Sequence, residues 1–174
     1  MVLFVLSTSS GVKAGSLKDQ PALTAATLNF ARLTHWPTVD IKTNAATFNL
    51  CVIGTNVVQQ SFTNINHDIV NHKMIRVLNR SYLQDLSECH LVYISGLKRT
   101  VLIQVLLKLK NKPVLTIGEG FAFIQVGGMV GLELVQDEMQ LNINLVTINQ
   151  ASLVVSSRLL KLGKIFSFPY LRAK

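Results

Sequence analysis

The sequence predicts an α/β fold: a single three-layer domain with a mostly parallel sheet, helices on both faces, and a C-terminal antiparallel hairpin followed by a helix. Three observations predict it. Short strand-like runs alternate with segments of helical periodicity, the pattern of parallel strands joined by right-handed crossovers. Residues 114–117, Val-Leu-Thr-Ile, form a largely apolar run, as expected of a strand covered on both faces. Residues 129–135 and 139–144 are strand-like and are joined by the polar turn Gln136-Asp137-Glu138.

Each element has a local reason. Over residues 22–35, Leu23, Ala26, Phe30 and Leu33 recur at helical spacing and make one apolar face. Trp36-Pro37 ends that helix, because the residue before a proline is pushed out of the helical region. Residues 48–53 read as a strand closed by Gly54, 57–65 as a short helix and 65–72 as a polar loop. Residues 74–78 read as a second strand, and 81–87 as a short helix with Ser81 as its N-cap. Residues 90–94 form a third strand. The clearest helix spans 97–110, with Val101, Val105 and Leu109 along one side. The fourth strand at 114–117 is followed by a single turn over 121–125. Gly127-Gly128 then supplies backbone freedom for a sharp approach to the hairpin, whose strands are expected at one edge of the sheet. Residues 156–166 read as the last helix. There is no internal repeat, linker or low-complexity segment, so residues 15–174 are expected to be one domain.

Residues 1–14 read as processing sequence. Val2-Leu3-Phe4-Val5-Leu6 is a short apolar run, the stretch from Ser7 to Gly11 is small and polar, and Val12-Lys13-Ala14 has small residues before a cleavage point. That pattern suits the end of a secretory signal cut after Ala14. It lacks a basic opening region and its apolar core is short, so a start upstream of Met1 and an ordinary N-terminus stay open as readings.

With only 15% charged residues and nearly half hydrophobic, the chain is expected to fold. No apolar run approaches the roughly 20 residues that span a bilayer, which predicts a soluble domain. The net charge of +8 raises nucleic acid as a partner. Against it, there is no helix-turn-helix signature, zinc-ligand spacing or aromatic RNP-like strand. Lys108, Lys110 and Lys112 lie at a helix end, where cations complement the carbonyl dipole. Basic residues gather again at Lys98-Arg99, at Arg158, Lys161 and Lys164, and at Arg172 and Lys174. Solvated charge is one reading; a basic face for an acidic protein partner or a headgroup layer is the other.

No motif for chemistry stands. Gly118-Glu119-Gly120 follows a strand, but Phe123 occupies the place of the third glycine of a dinucleotide fingerprint and no ribose partner follows. His35, His67, His72 and His90 have no carboxylate at ligand spacing, and HExxH and paired CxxC motifs are absent. Cys89 and His90 are neighbours along a strand and point to opposite faces, which rules out a nucleophile–base pair. No catalytic, cofactor-binding or metal-binding residue is therefore expected, and the chain is not expected to be an enzyme.

Read as strings, five blocks carry a resemblance. They are Leu28-Asn29-Phe30-Ala31-Arg32-Leu33-Thr34-His35-Trp36-Pro37, Phe48-Asn49-Leu50-Cys51-Val52-Ile53-Gly54, Cys89-His90-Leu91-Val92-Tyr93-Ile94-Ser95, the segment from Pro113 through Gly120-Phe121, and the Gly-Gly-Met hairpin leading to Ser156-Ser157-Arg158-Leu159-Leu160. In this order, over about residues 22–166, they resemble the YfiR-like family of bacterial periplasmic proteins. The resemblance implies a periplasmic regulator that binds the periplasmic sensor region of an inner-membrane diguanylate cyclase, or a similar membrane sensor, and represses it. Lower cyclic-di-GMP and reduced biofilm output would follow. Self-association into a homodimer is a further option, and no cofactor or nucleic acid is implied.

Two cysteines in an exported chain suggest a disulfide. Cys51 lies in the first strand and Cys89 at the mouth of the third, strands commonly adjacent in doubly wound sheets, and the family has matching cysteines. A bridge would add about 4 kcal/mol in the chain-entropy model; two buried thiols packing as small hydrophobes are the other reading. The family's second cysteine pair is absent here. For the partner surface the expected residues are Arg158, Lys161 and Lys164, spaced along one side of the last helix, with Phe166, Phe168 and Tyr170 beside them. Trp36 is either a core residue or a further aromatic anchor. The rival reading is a small-ligand module. It would use the crevice at the carboxyl ends of the strands, lined by Gly54-Thr55-Asn56, Ser95-Gly96 and Gly118-Glu119-Gly120.

Overall fold

The computed structural model describes residues 20–37 and 46–169. Helix α1 (Gln20–Arg32) buries Leu23, Leu28, Phe30 and Ala31, and is followed by the two-residue strand β1 (Thr34–His35). Then come β2 (Thr47–Ile53), α2 (Asn56–Ser61) with a 3-10 turn at Thr63–Ile65, β3 (Ile69–Val70), β4 (Lys73–Asn79) and β5 (Leu91–Ile94). The second half runs α3 (Arg99–Leu109), β6 (Leu115–Glu119), α4 (Gly120–Gln125), β7 (Val130–Val135), β8 (Glu138–Asn144), α5 (Leu145–Gln150), β9 (Val154–Val155), α6 (Ser157–Leu162) and β10 (Lys164–Phe166).

The main sheet has the order β10-β8-β7-β6-β5-β2-β4-β3. β4, β2, β5, β6 and β7 are mutually parallel, β8 is antiparallel to β7, and β10 is parallel to β8. In chain order the sheet grows from β2 outward to β4, then reverses to β5 on the other side. The reversal sits between β2 and β5.

Alternation along β2 explains the three layers. Leu50 and Val52 join a core with α1, α2 and α5, through Phe30, Val58 and Ile148. Cys51 and Ile53 join a second core with α3 and α4, through Val105, Leu109, Phe123 and Ile124. Both faces of the strand are covered, so it is buried from Phe48 to Ile53 and apolar there except for Asn49. The expected α/β architecture is the observed one.

The glycines of the second half are explained by packing. A Cβ on Gly118 or on Gly128 would collide with the ring of Phe123, which is held between them. The Gly118-Glu119-Gly120 turn is thus part of a tight seat for an aromatic side chain. Gly127 has φ 104, so the freedom expected ahead of the hairpin is used there.

Several local expectations are corrected. Residues 81–87 form a loop, not a helix. Ser81 N–H donates to Gln84 Oε1 at 2.7 Å and Leu83 N–H to Ser81 Oγ at 3.3 Å, local bonds that compete with helical ones. The first helix stops at Arg32 because Thr34 and His35 pair with Val155 and Val154. The loop expected over 65–72 contains β3, and α5 was not foreseen in the segment after the hairpin. The last helix does not reach residue 166: α6 stops at Leu162 and Lys164–Phe166 is a strand. Gly163 passes close to β8, where a Cβ would sit 3.1 Å from Leu141 O. That strand, β10, also displaces the hairpin from the sheet edge. Residues 1–14 and Tyr170 lie outside the described residues.

Candidate functional site

Two surfaces collect the expected site residues. The first is built by α6 and β10. Ser156 caps α6, its Oγ accepting from Arg158 N–H at 3.3 Å. Leu159 turns inward, leaving Arg158 and Lys161 exposed with Leu162, which is 73% accessible. Lys164 is also exposed but belongs to β10, so the three bases do not form one helical stripe. Phe166 and Phe168 are half-buried and packed with Phe121, at ring-centroid separations of 4.9 and 5.7 Å. The buried Asn144 holds the backbone of Phe168 in place: Nδ2 donates to its carbonyl at 2.7 Å and Oδ1 accepts its N–H at 3.2 Å.

Trp36 belongs to a different cluster. Its Nε1–H donates to the carbonyl of His90 at 3.1 Å, and its ring meets Phe48 edge-on at 5.1 Å. Phe48 in turn stacks on the His90 ring at 4.9 Å. His90 Nδ1 accepts the Asn49 N–H at 3.0 Å, which leaves the proton of the neutral ring on Nε2. Burial, aided by the charge of Lys73, lowers the His90 pKa to about 4. Beside it, Cys89 is bonded to Cys51 with Cα atoms 5.8 Å apart. Sequence reasoning placed the pair on adjacent strands, and β2 and β5 are adjacent.

The second surface is the crevice at the carboxyl ends of β2, β4 and β5, a cavity of about 540 Å³. Of the residues expected there, Gly54, Thr55, Ser95 and Gly96 line it. Asn79, Arg80, Ser81 and Tyr82, which sequence reasoning missed, supply another wall. Their place follows only from β4 running beside β2. Arg80 is paired with Glu88. Glu119 sits behind Ser95, accepting from the Ser95 hydroxyl at 2.6 Å and the Tyr93 hydroxyl at 3.3 Å. Burial, then the Glu119 charge, raises the Tyr93 pKa, so the phenol stays protonated. Gly118 instead seats Phe123, and the Gly120 carbonyl lies close against Gly131 of β7, where a Cβ would not fit.

Among the described residues no three His, Cys, Asp or Glu side chains converge as a metal site requires, and no helix is long and apolar enough to cross a membrane. A doubly wound α/β domain, with a basic face at one sheet edge and a crevice at its strand ends, is what these features define. The chain belongs to the YfiR/HmsC-like family, whose profile matches residues 22–164. No curated protein matches it.

Proposed function

We propose that this protein is a periplasmic regulatory binding protein. It represses an inner-membrane diguanylate cyclase by binding its periplasmic sensor region, and so lowers cyclic-di-GMP. Family membership carries the reading, and the charge distribution supports it. From residue 139 onward the sequence holds Arg158, Lys161, Lys164, Arg172 and Lys174 and no Asp or Glu. With Leu162 and Ile165 exposed among those bases, the α6–β10 face suits an acidic partner with an apolar centre. Repression then needs no turnover. A regulator that binds the inactive cyclase more tightly than the active one shifts its population by that difference in affinity.

Export fits the same reading: cleavage after Ala14 leaves residues 15–174 as the mature domain, and the disulfide suits an oxidising compartment. Protein recovered from periplasm should begin at Gly15.

The test is deletion of the gene, with complementation by wild type, Lys161→Glu/Lys164→Glu, or Phe168→Ala. Deletion should raise cyclic-di-GMP, and the charge-reversed protein should fail to lower it. Unchanged cyclic-di-GMP on deletion removes the cyclase as partner. Full repression by folded charge-reversed protein moves the contact surface away from α6 and β10, toward Trp36.

A further inference from the structure

We propose that the crevice at the carboxyl ends of β2, β4 and β5 is a binding site for a neutral saccharide. Its position is the first reason. In open α/β sheets a crevice forms where neighbouring strands send their connections in opposite directions, and here that reversal lies between β2 and β5. The cavity, about 540 Å³, is within the size range of small-molecule sites.

The lining chooses the ligand class. Thr55, Gln59 and Asn79 present a hydroxyl and two amides, and among the described residues none of these side chains is engaged within the protein. Each can both donate and accept, as sugar hydroxyls do. Ser95 has committed its proton to Glu119 at 2.6 Å, so its oxygen remains as an acceptor. Tyr82, 40% accessible, offers an aromatic surface for the apolar face of a pyranose. Arg80 is the one cationic side chain of the lining, and Glu88 already neutralises it. A charged ligand would therefore find no uncompensated charge in the lining, the Arg80 Nε–H, partnerless among the described residues, being buried, whereas a neutral polyol would find hydrogen bonds and a flat apolar contact.

The walls are held. The loop bearing Ser81 and Tyr82 is tied by the Arg80–Glu88 pair and, one residue further on, by the Cys51–Cys89 bond to β2. Gly96, at φ 69, lets the chain turn away after β5 at the mouth of the crevice. Binding at this site does not depend on the repressor reading, because it requires the isolated protein alone.

The experiment titrates the full chain with glucose, N-acetylglucosamine and maltose, and with a phosphorylated hexose as the charged control. Calorimetry gives affinity, and amide NMR shifts give location. The expected result is saturable binding of at least one neutral sugar, with shifts at Thr55, Asn79 and Ser95. Tyr82→Ala and Asn79→Ala, both at accessible positions, should each weaken it about tenfold or more without loss of fold. Two results overturn the proposal: no saturable binding of any neutral sugar up to about 10 mM, where any binding is worth less than about 3 kcal/mol, or tighter binding of the phosphorylated hexose. Since no cyclase is present, a negative result here leaves the repressor reading untouched, and unchanged cyclic-di-GMP on deletion leaves this one untouched.

Discussion

Asn144 holds Phe168 through both of that residue's backbone polar groups, accepting its N–H at 3.2 Å and donating to its carbonyl at 2.7 Å. The amide is fully buried at the end of β8, where its Nδ2 also donates to the Ile124 carbonyl at 3.4 Å. This clamp, together with the Phe121–Phe166–Phe168 cluster, lays the segment across the second core. Asn144→Ala should therefore cost about 1–3 kcal/mol, the range for stranding hydrogen-bonded groups. It should also expose the peptide bonds after Phe166 to protease. Unchanged urea unfolding and an unchanged digestion pattern would discard the clamp.

The Cys51–Cys89 bond closes a sequence separation of 38 residues that includes all of α2, β3 and β4. Cys89→Ser should lower stability by roughly 2–5 kcal/mol. Non-reducing mass analysis of native protein should find it lighter than the reduced form by two hydrogens. Two alkylated thiols under denaturing, non-reducing conditions would contradict the bond.

His90 gives a pH dependence with a defined sign. The folded pKa is lowered from 6.5 to about 4, so the unfolded chain takes up the proton first as pH falls. Its contribution is complete above about pH 6.5, declines between there and about 4, and is flat below. The ring is buried, and the loss across that window is on the order of 3 kcal/mol. Following the His90 ring signal by NMR checks it: a midpoint near 6.5 in the folded protein would overturn the prediction.

Gly118→Ala and Gly128→Ala should each destabilise by about 1–3 kcal/mol, because either Cβ overlaps the Phe123 ring. Phe123→Leu in the Gly118→Ala background should recover part of the loss by vacating the seat. A double variant no more stable than Gly118→Ala would show that the glycine acts on the backbone, not on the ring.

The alternation of strands and helices and the mostly apolar β2, β5 and β6 were legible in the sequence alone. So were the hairpin and the two cysteines, Cys51 in β2 and Cys89 two residues ahead of β5; these two strands become neighbours. These are period-2 and period-3.6 signals, or chemistry carried by single residue types, and they are local. Sequence pattern leaves open where local preference meets a distant partner. Thr34 and His35 leave the helical pattern because β9 offers their backbone hydrogen bonds, and Lys164–Phe166 leaves it because β8 does. The crevice wall of Asn79, Arg80 and Tyr82 appears only once β4 lies beside β2. In the same way Asn144 finds Phe168 across 24 positions of sequence. No window of sequence contains such pairings, because their energy comes from burying and satisfying groups that meet only when the sheet is assembled.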